Sequence, residues 1–193
     1  MEVLGPDAER TERMVLRPLA ERDRSAFVEA VRASRAMLDR WLPIHEPGES
    51  DSELFERQLA LTREGERTGR ALRRVGVLAD GTIAGAWNLV RIERGLEWEA
   101  DCNWWVASGL AGKGLGGEGA RWLIAKSFAD LPAGLGLHQV VAAVSPDNAA
   151  SKALLGKLGF APKRGVRISS TIGGRVANDE VWTITPESIA LDR

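Results

Sequence analysis

The sequence predicts a single α/β domain built on a mixed, mostly antiparallel sheet of about seven strands flanked by helices. Three observations carry this. Segments with two-residue alternation or unbroken apolar runs interleave with segments of helical period, in the order strand, two helices, three strands, helix, strand, helix, two strands. Turn signals at Ala79-Asp80-Gly81 and Gly173-Gly174 fall where hairpins would join neighbouring strands. The chain has 193 residues, 44% apolar and 27% charged, enough to bury a core as one domain. That domain is expected over residues 13–185, between an N-terminal extension (1–12) and a C-terminal tail (186–193).

Residues 13–17 alternate apolar and charged, and Pro18 stops them, as a short first strand. Phe27, Val31, Met37, Leu38 and Trp41 suit one or two helices between Asp23 and Leu42, closed by Pro43. After a loop at 45–50, Ser50 and Glu53 have capping-box spacing, opening a helix that Gly65 to Gly69 end. Strands follow at 74–78, 82–90 and 97–106. A helix then runs to about Asp130, a buried strand covers 138–144, and a helix from Asn148 ends at Gly159. The closing strands are expected near 166–171 and 181–185.

The totals exclude several classes. A net charge of −1 gives no general attraction for nucleic acid or an anionic membrane, so neither is expected as a partner. The single cysteine, Cys102, cannot form an intramolecular disulfide. No run approaches the ~18 apolar residues of a membrane span, and the acidic N-terminus lacks a signal-peptide core. A soluble, cytoplasmic protein is expected. Two histidines and one cysteine do not make a usual zinc site, so no metal is expected.

The densest signal is at residues 108–119, where glycines occupy positions 109, 112, 114, 116, 117 and 119 immediately ahead of a helix. Glycine is the poorest ordinary helix residue, so a flexible surface loop is one reading. A P-loop fails, because Gly114 follows Gly112-Lys113 and Ala107 stands at the first glycine position. Gly112-Lys113-Gly114-Leu115-Gly116-Gly117 matches the dinucleotide pattern, but too few strand–helix units follow for a doubly wound sheet. The third reading is an anion cradle: bare backbone N–H groups backed by the positive end of a helix dipole, open to a pyrophosphate.

Trp104-Trp105-Val106, Gly112-Lys-Gly-Leu-Gly116, residues 138–151 with Pro146-Asp-Asn148-Ala-Ala-Ser151, and Lys157-Leu-Gly-Phe160 together resemble the GCN5-related N-acetyltransferases. More narrowly, they resemble the branch that acetylates ribosomal-protein N-termini (RimJ/RimL-like). Leu16-Arg17-Pro18-Leu19 and Trp41 also stand where that branch has similar residues. The likeness covers about 13–185 and is densest over 98–160. Three positions depart from the pattern: Ala111 stands where Gln or Arg is usual, Gly156 where Glu is usual, and Asn178 near an expected Asp.

The resemblance implies acetyl-CoA as co-substrate and direct transfer to an amine acceptor. It implies a diphosphate held by Gly112, Lys113, Gly114, Leu115, Gly116 and Gly117, with Trp105 and Val106 on the strand whose backbone N–H polarises the thioester carbonyl. Asn148 matches a residue that bonds the pantetheine arm. Asp101 matches a catalytic base on the preceding strand, with Glu99 two residues earlier on the same face, and an ordinary solvated carboxylate as the alternative. Ser151 matches a proposed proton donor to the thiolate; it is otherwise a first-turn residue behind an Asn148 cap. Tyrosine, a common thiolate acid in the superfamily, is absent.

Trp41 and Trp104 are the candidate acceptor-binding residues, and His45, on a loop near Trp41, is a candidate for lining the acceptor pocket. Cys102 reads as a small buried hydrophobe rather than a nucleophile. The expected function is acetyl transfer to a primary amine, first a protein N-terminal α-amine. The alternatives are a small amine (antibiotic or polyamine), to which acidic Glu46, Glu49, Asp51 and Glu53 point, an inactive acyl-CoA sensor, or a nicotinamide enzyme. A homodimer stays open.

Overall fold

Two short strands start the sheet in the computed structural model, which describes residues 9–172 and 175–190. β1 (Glu9–Arg10) pairs antiparallel with β2 (Val15–Arg17), Glu9 opposite Leu16, so the sheet gains a strand ahead of residue 13. α1 (Arg24–Trp41) is one unbroken helix, and α2 (Asp51–Thr68) follows the loop at 45–50. Next come β3 (Leu72–Val77), β4 (Ile83–Glu93) and β5 (Glu99–Val106), then α3 (Leu115–Phe128), β6 (Gln139–Val144) and α4 (Ala149–Lys157). β7 (Ala161–Ile172), β8 (Arg175–Ile184) and the short α5 (Pro186–Ala190) close the chain.

Among the described residues the eight strands hydrogen-bond in the order β1-β2-β3-β4-β5-β6-β8-β7. β5 and β6 are parallel, because α3 carries the chain back between them. The pairs β1–β2, β2–β3, β6–β8 and β7–β8 are antiparallel. The sheet is therefore mixed and mostly antiparallel, with one strand more than the seven expected.

By its contacts the chain divides into two compact units. The first holds the chain up to residue 88 with 104–119; the second holds 89–103 and the chain from 120 onward. In the first, α1 and α2 bury Phe27, Val31, Leu38, Leu54, Phe55 and Leu59 with Val75, Val77, Ile83 and Trp105. The Phe27 ring meets Phe55 and Trp105 edge-on, at 5.8 and 6.3 Å between centroids. Full burial of one such side chain stabilises by about 1.5–3 kcal/mol. Arg17 clamps Asp23 with two bonds of 2.6 and 2.7 Å, tying β2 to the start of α1 through a buried pair.

The expected terminators act as read. Ser50 and Glu53 bond reciprocally at the start of α2, and Gly69 ends it in the left-handed conformation, φ +65°. Leu78 and Thr82 close the turn around Ala79-Asp80-Gly81.

The second unit buries Leu123, Ile124, Leu137, Val140, Val144, Leu155, Val181 and Ile184. β7 and β8 run longer than their apolar segments predict. The register breaks between Pro162 and Arg167, where Gly165 (φ +75°) absorbs the irregularity, so residues that do not alternate still join the strand. The turn expected at Gly173-Gly174 lies outside the described residues.

Candidate active site

In the first unit β5 delivers the chain into the glycine-rich segment. Trp105, 4% exposed, fixes the strand end in the core, so only its backbone is left to meet a ligand. Ala107 N–H bonds Ala84 O at 2.8 Å, a short 3₁₀ turn covers Ser108–Leu110, and its first N–H is held by Ser34 Oγ at 3.0 Å.

Gly112 (φ +75°) and Gly114 (φ +84°) then take conformations that L side chains rarely adopt. A methyl group on Gly112 would meet open space, and one on Gly114 only the tip of Arg13, at 3.2 Å. These two glycines serve backbone conformation and free approach. Gly119 has a different duty: a Cβ there would sit 2.2 Å from Trp87 Cε2, so the helix can lie on the indole only without it. Trp87 is fully buried and donates its indole N–H to Gly116 O at 3.3 Å.

Among the described residues, no oxygen accepts a hydrogen bond from the N–H groups of residues 112–117. The first intrahelical bond of α3 is Glu118 N–H to Gly114 O, at 3.1 Å. Consecutive bare N–H groups at the positive end of a 14-residue helix can hold a diphosphate. The row thus fits the diphosphate of coenzyme A, and Lys113 adds an exposed ammonium.

The loop is braced from the N-terminal segment. Glu118 is 7% exposed and accepts from Thr11 Oγ1 at 2.5 Å, Arg13 N–H at 2.8 Å and Arg13 Nε at 2.7 Å. Burial pushes its carboxyl up, but the bonds from Thr11 and Arg13, with the Arg13 charge, outweigh this and leave its pKa lowered. Arg13 Nη1 also donates to Lys113 O at 2.7 Å. Sequence reading missed this brace, since nothing in one chain joins residues about a hundred positions apart.

The second unit holds Asp101, Ser151 and Asn148. Asp101 receives two bonds from Arg91, at 2.8 and 2.5 Å, and this partnership raises the Arg91 pKa. Arg91 reaches it from a left-handed backbone, φ +49°. Glu99 accepts from the Gln139 amide at 2.9 Å. Asn148 caps α4: its Oδ1 accepts from Ser151 N–H at 3.1 Å, and its own amide group stays free to donate. The Ser151 hydroxyl has no partner among the described residues. Cys102 is buried, and loss of water pushes its thiol up, the direction that makes a thiol less reactive.

The β5–β6 register covers Glu99–Cys102 against Gln139–Ala142, whereas β5 itself continues to Val106. Residues 103–106, including the candidates Trp104 and Val106, lie past that pairing. Trp41 closes α1, half-buried beneath the Arg40 guanidinium at 4.4 Å. The acidic loop beyond it is paired internally. Glu49 takes bonds of 2.7 Å from Arg57 Nε and Nη2, and Asp51 lies within reach of Arg32, Arg35 and His45 Nε2. Glu53 belongs to the Ser50 cap. The His45 side chain is buried, and its Nδ1 has no partner among the described residues.

Among the described residues, no group of three His, Cys, Asp or Glu could hold a metal ion, and no helix is long and apolar enough to cross a membrane.

Residues 13–161 match the model of the acetyltransferase (GNAT) domain. No curated protein matches the chain in sequence. Mycobacterium smegmatis RimJ, solved in complex with CoA-disulfide, is similar at 24% identity and TM-score 0.81, over 95% of this chain and 90% of that one. Ribosomal-protein-S5-alanine acetyltransferase from Vibrio fischeri is similar at 21% and 0.78, over 92% and 96%. Spermidine N-acetyltransferase from Vibrio cholerae, in complex with CoA and spermine, is similar at 22% and 0.73, over 92% and 98%. At such identities the structural likeness speaks for the fold.

Proposed function

Because the chain belongs to the GNAT acetyltransferase family and is an N-acetyltransferase that uses acetyl-CoA, we propose that its acceptor is the α-amine of a protein N-terminus. The observation that carries this reading is the internal pairing of the acidic loop. A polyamine needs several unspent carboxylates; here Glu49 is held by Arg57, Asp51 by His45 and two arginines, and Glu53 by the helix cap. This leaves Glu46, 68% exposed and 3.5 Å from Arg57, as the one loosely paired member of the set. A groove of about 450 Å³ along β7 and β8 is lined by Lys152, Lys163, Arg164 and Arg167 against the single carboxylate of Glu180, which also disfavours a polycation.

When bound, acetyl-CoA supplies the activated acetyl group. The N–H groups of residues 112–117 hold its diphosphate. The backbone of Trp105 and Val106 is the source of the donor that polarises a carbonyl. Asp101, one-third exposed and kept by Arg91, takes the acceptor's proton through water. Ser151 holds a transferable proton at Oγ, and Asn148 offers its amide N–H.

The test is acetylation of peptides with free N-termini against spermidine and small amines, read by mass spectrometry. Modification of peptide α-amines at the higher kcat/KM is expected; preference for spermidine or an aminoglycoside overturns the assignment. Asp101→Asn is expected to lower kcat by about 10²-fold, the lower range for a lost general base, and to flatten the pH–rate profile. An unchanged profile removes Asp101 as the base.

A further inference from the structure

We propose that Arg13 is a positioning residue of the diphosphate cradle: it sets the direction of the Lys113–Gly114 peptide so that Gly114 N–H faces the anion. The proposal rests on the acetyl-CoA reading of that loop. A trans peptide is planar, with C=O and N–H on opposite sides. Arg13 Nη1 holds Lys113 O at 2.7 Å, so the N–H of the same peptide, that of Gly114, is turned to the other side. Gly114 at φ +84° is a hinge with no side chain to choose its orientation, so without this anchor the peptide could flip and present its oxygen to the anion.

The anchor is itself fixed. Nε of Arg13 bonds Glu118 Oε2 at 2.7 Å, and Glu118 is buried, ionised and held again by Thr11 and by Arg13 N–H. Glu118 N–H bonds Gly114 O at 3.1 Å, which closes a ring of contacts from Arg13 through Lys113 and Gly114 to Glu118 and back. The guanidinium's rigid fork suits this task, because two of its nitrogens grip two acceptors in one plane. Nη2 has no acceptor among the described residues and lies beside Gly114, so the cation adds its charge behind the cradle.

The test compares CoA with pantetheine, which lacks the diphosphate together with the adenosine and its 3′-phosphate. Dephospho-CoA, which keeps the diphosphate, is the check that any loss does not come from the 3′-phosphate. Dissociation constants for all three are measured by titration calorimetry on the whole protein and on Arg13→Gln. A rise of about tenfold for CoA and dephospho-CoA with pantetheine unchanged is expected, and the CoA ratio should shrink in 1 M salt as the charge is screened. Equal losses for CoA and pantetheine would make Arg13 a general strut, a loss for CoA alone would assign it to the 3′-phosphate, and no loss for CoA would remove it from the site; each overturns the proposal. Should Arg13→Gln not fold, Glu118→Gln frees the anchor and is read by the same ligands. If the unaltered protein binds CoA no more tightly than pantetheine, the diphosphate reading itself falls.

Discussion

Three helix starts in this chain meet the same physical demand in two ways. α2 and α4 begin with side chains that accept their first N–H groups: Ser50 takes Glu53 N–H, and Asn148 takes Ser151 N–H. α3 begins with Gly112 to Gly117, none of whose N–H groups has a partner among the described residues. All three ends carry the same partial positive charge. A start that caps itself has satisfied that charge internally; one without a side-chain cap leaves it unanswered among the described residues, which is what the proposed diphosphate site requires. The second start is also held from outside, with Thr11 and Arg13 bonding Glu118 in the first turn of α3, whereas α4 is capped by a residue three positions before Ser151.

The largest effect should come from filling the bare end. Gly114→Val places a β-branched residue at φ +84° and a side chain where an anion must approach. Its CoA affinity is expected to fall by roughly 100-fold, which corresponds to about 2.7 kcal/mol. Gly119→Ala, one helical turn on, is the control: its Cβ meets the Trp87 indole, so overpacking of about 1–3 kcal/mol should appear in urea unfolding. Its CoA affinity should change far less. Equal CoA losses in the two variants would erase the distinction between loop glycines and packing glycines.

That distinction shows where the sequence was legible and where it was not. Period and turn chemistry located every long element, because alternation, the Ser50–Glu53 box and Gly69 act over a few residues. The bare N–H groups of the glycine-rich segment were legible for the same local reason. The brace from Arg13 to Glu118 was not, since it joins residues 105 positions apart and neither is unusual for its own segment. The two uses of glycine were also hidden, because Gly114 and Gly119 look identical until Trp87 is placed in space. Asp101 was legible as a strand carboxylate, but its Arg91 partner depends on a left-handed residue on the preceding strand, which no pattern announces.

Removing a self-made cap should produce a smaller, purely structural effect. Ser50→Ala deletes the acceptor for Glu53 N–H and the hydroxyl donor to the Glu53 carboxylate, while the backbone N–H of residue 50 still bonds that carboxylate, for an expected loss of about 1 kcal/mol in unfolding free energy. CoA affinity should be unaffected, since α2 takes no part in the cradle. Asn148→Ala should show the same loss of about 1 kcal/mol together with weaker binding of pantetheine, because its amide is proposed to serve both tasks. If Asn148→Ala behaves like Ser50→Ala in both assays, Asn148 is a cap and nothing more.

The smallest effect separates the paired loop from the unpaired one by pH. Glu49 is hydrogen-bonded by Arg57, which holds its carboxyl at about 2, well below the ordinary 4.5. A carboxyl depressed on folding binds its proton more weakly in the native state than in the unfolded chain. Its contribution is therefore fully present above pH 4.5, declines as the pH falls from 4.5 toward 2, and is gone below that. Glu49→Gln should be less stable than the unaltered protein at pH 7, and the gap between their urea midpoints should close between pH 4.5 and 2. A gap that persists at pH 2 would mean the carboxylate contributes by shape rather than charge. CoA affinity at pH 7 should be the same in both, because Glu49 is answered by Arg57 within the chain and takes no part in the proposed diphosphate site.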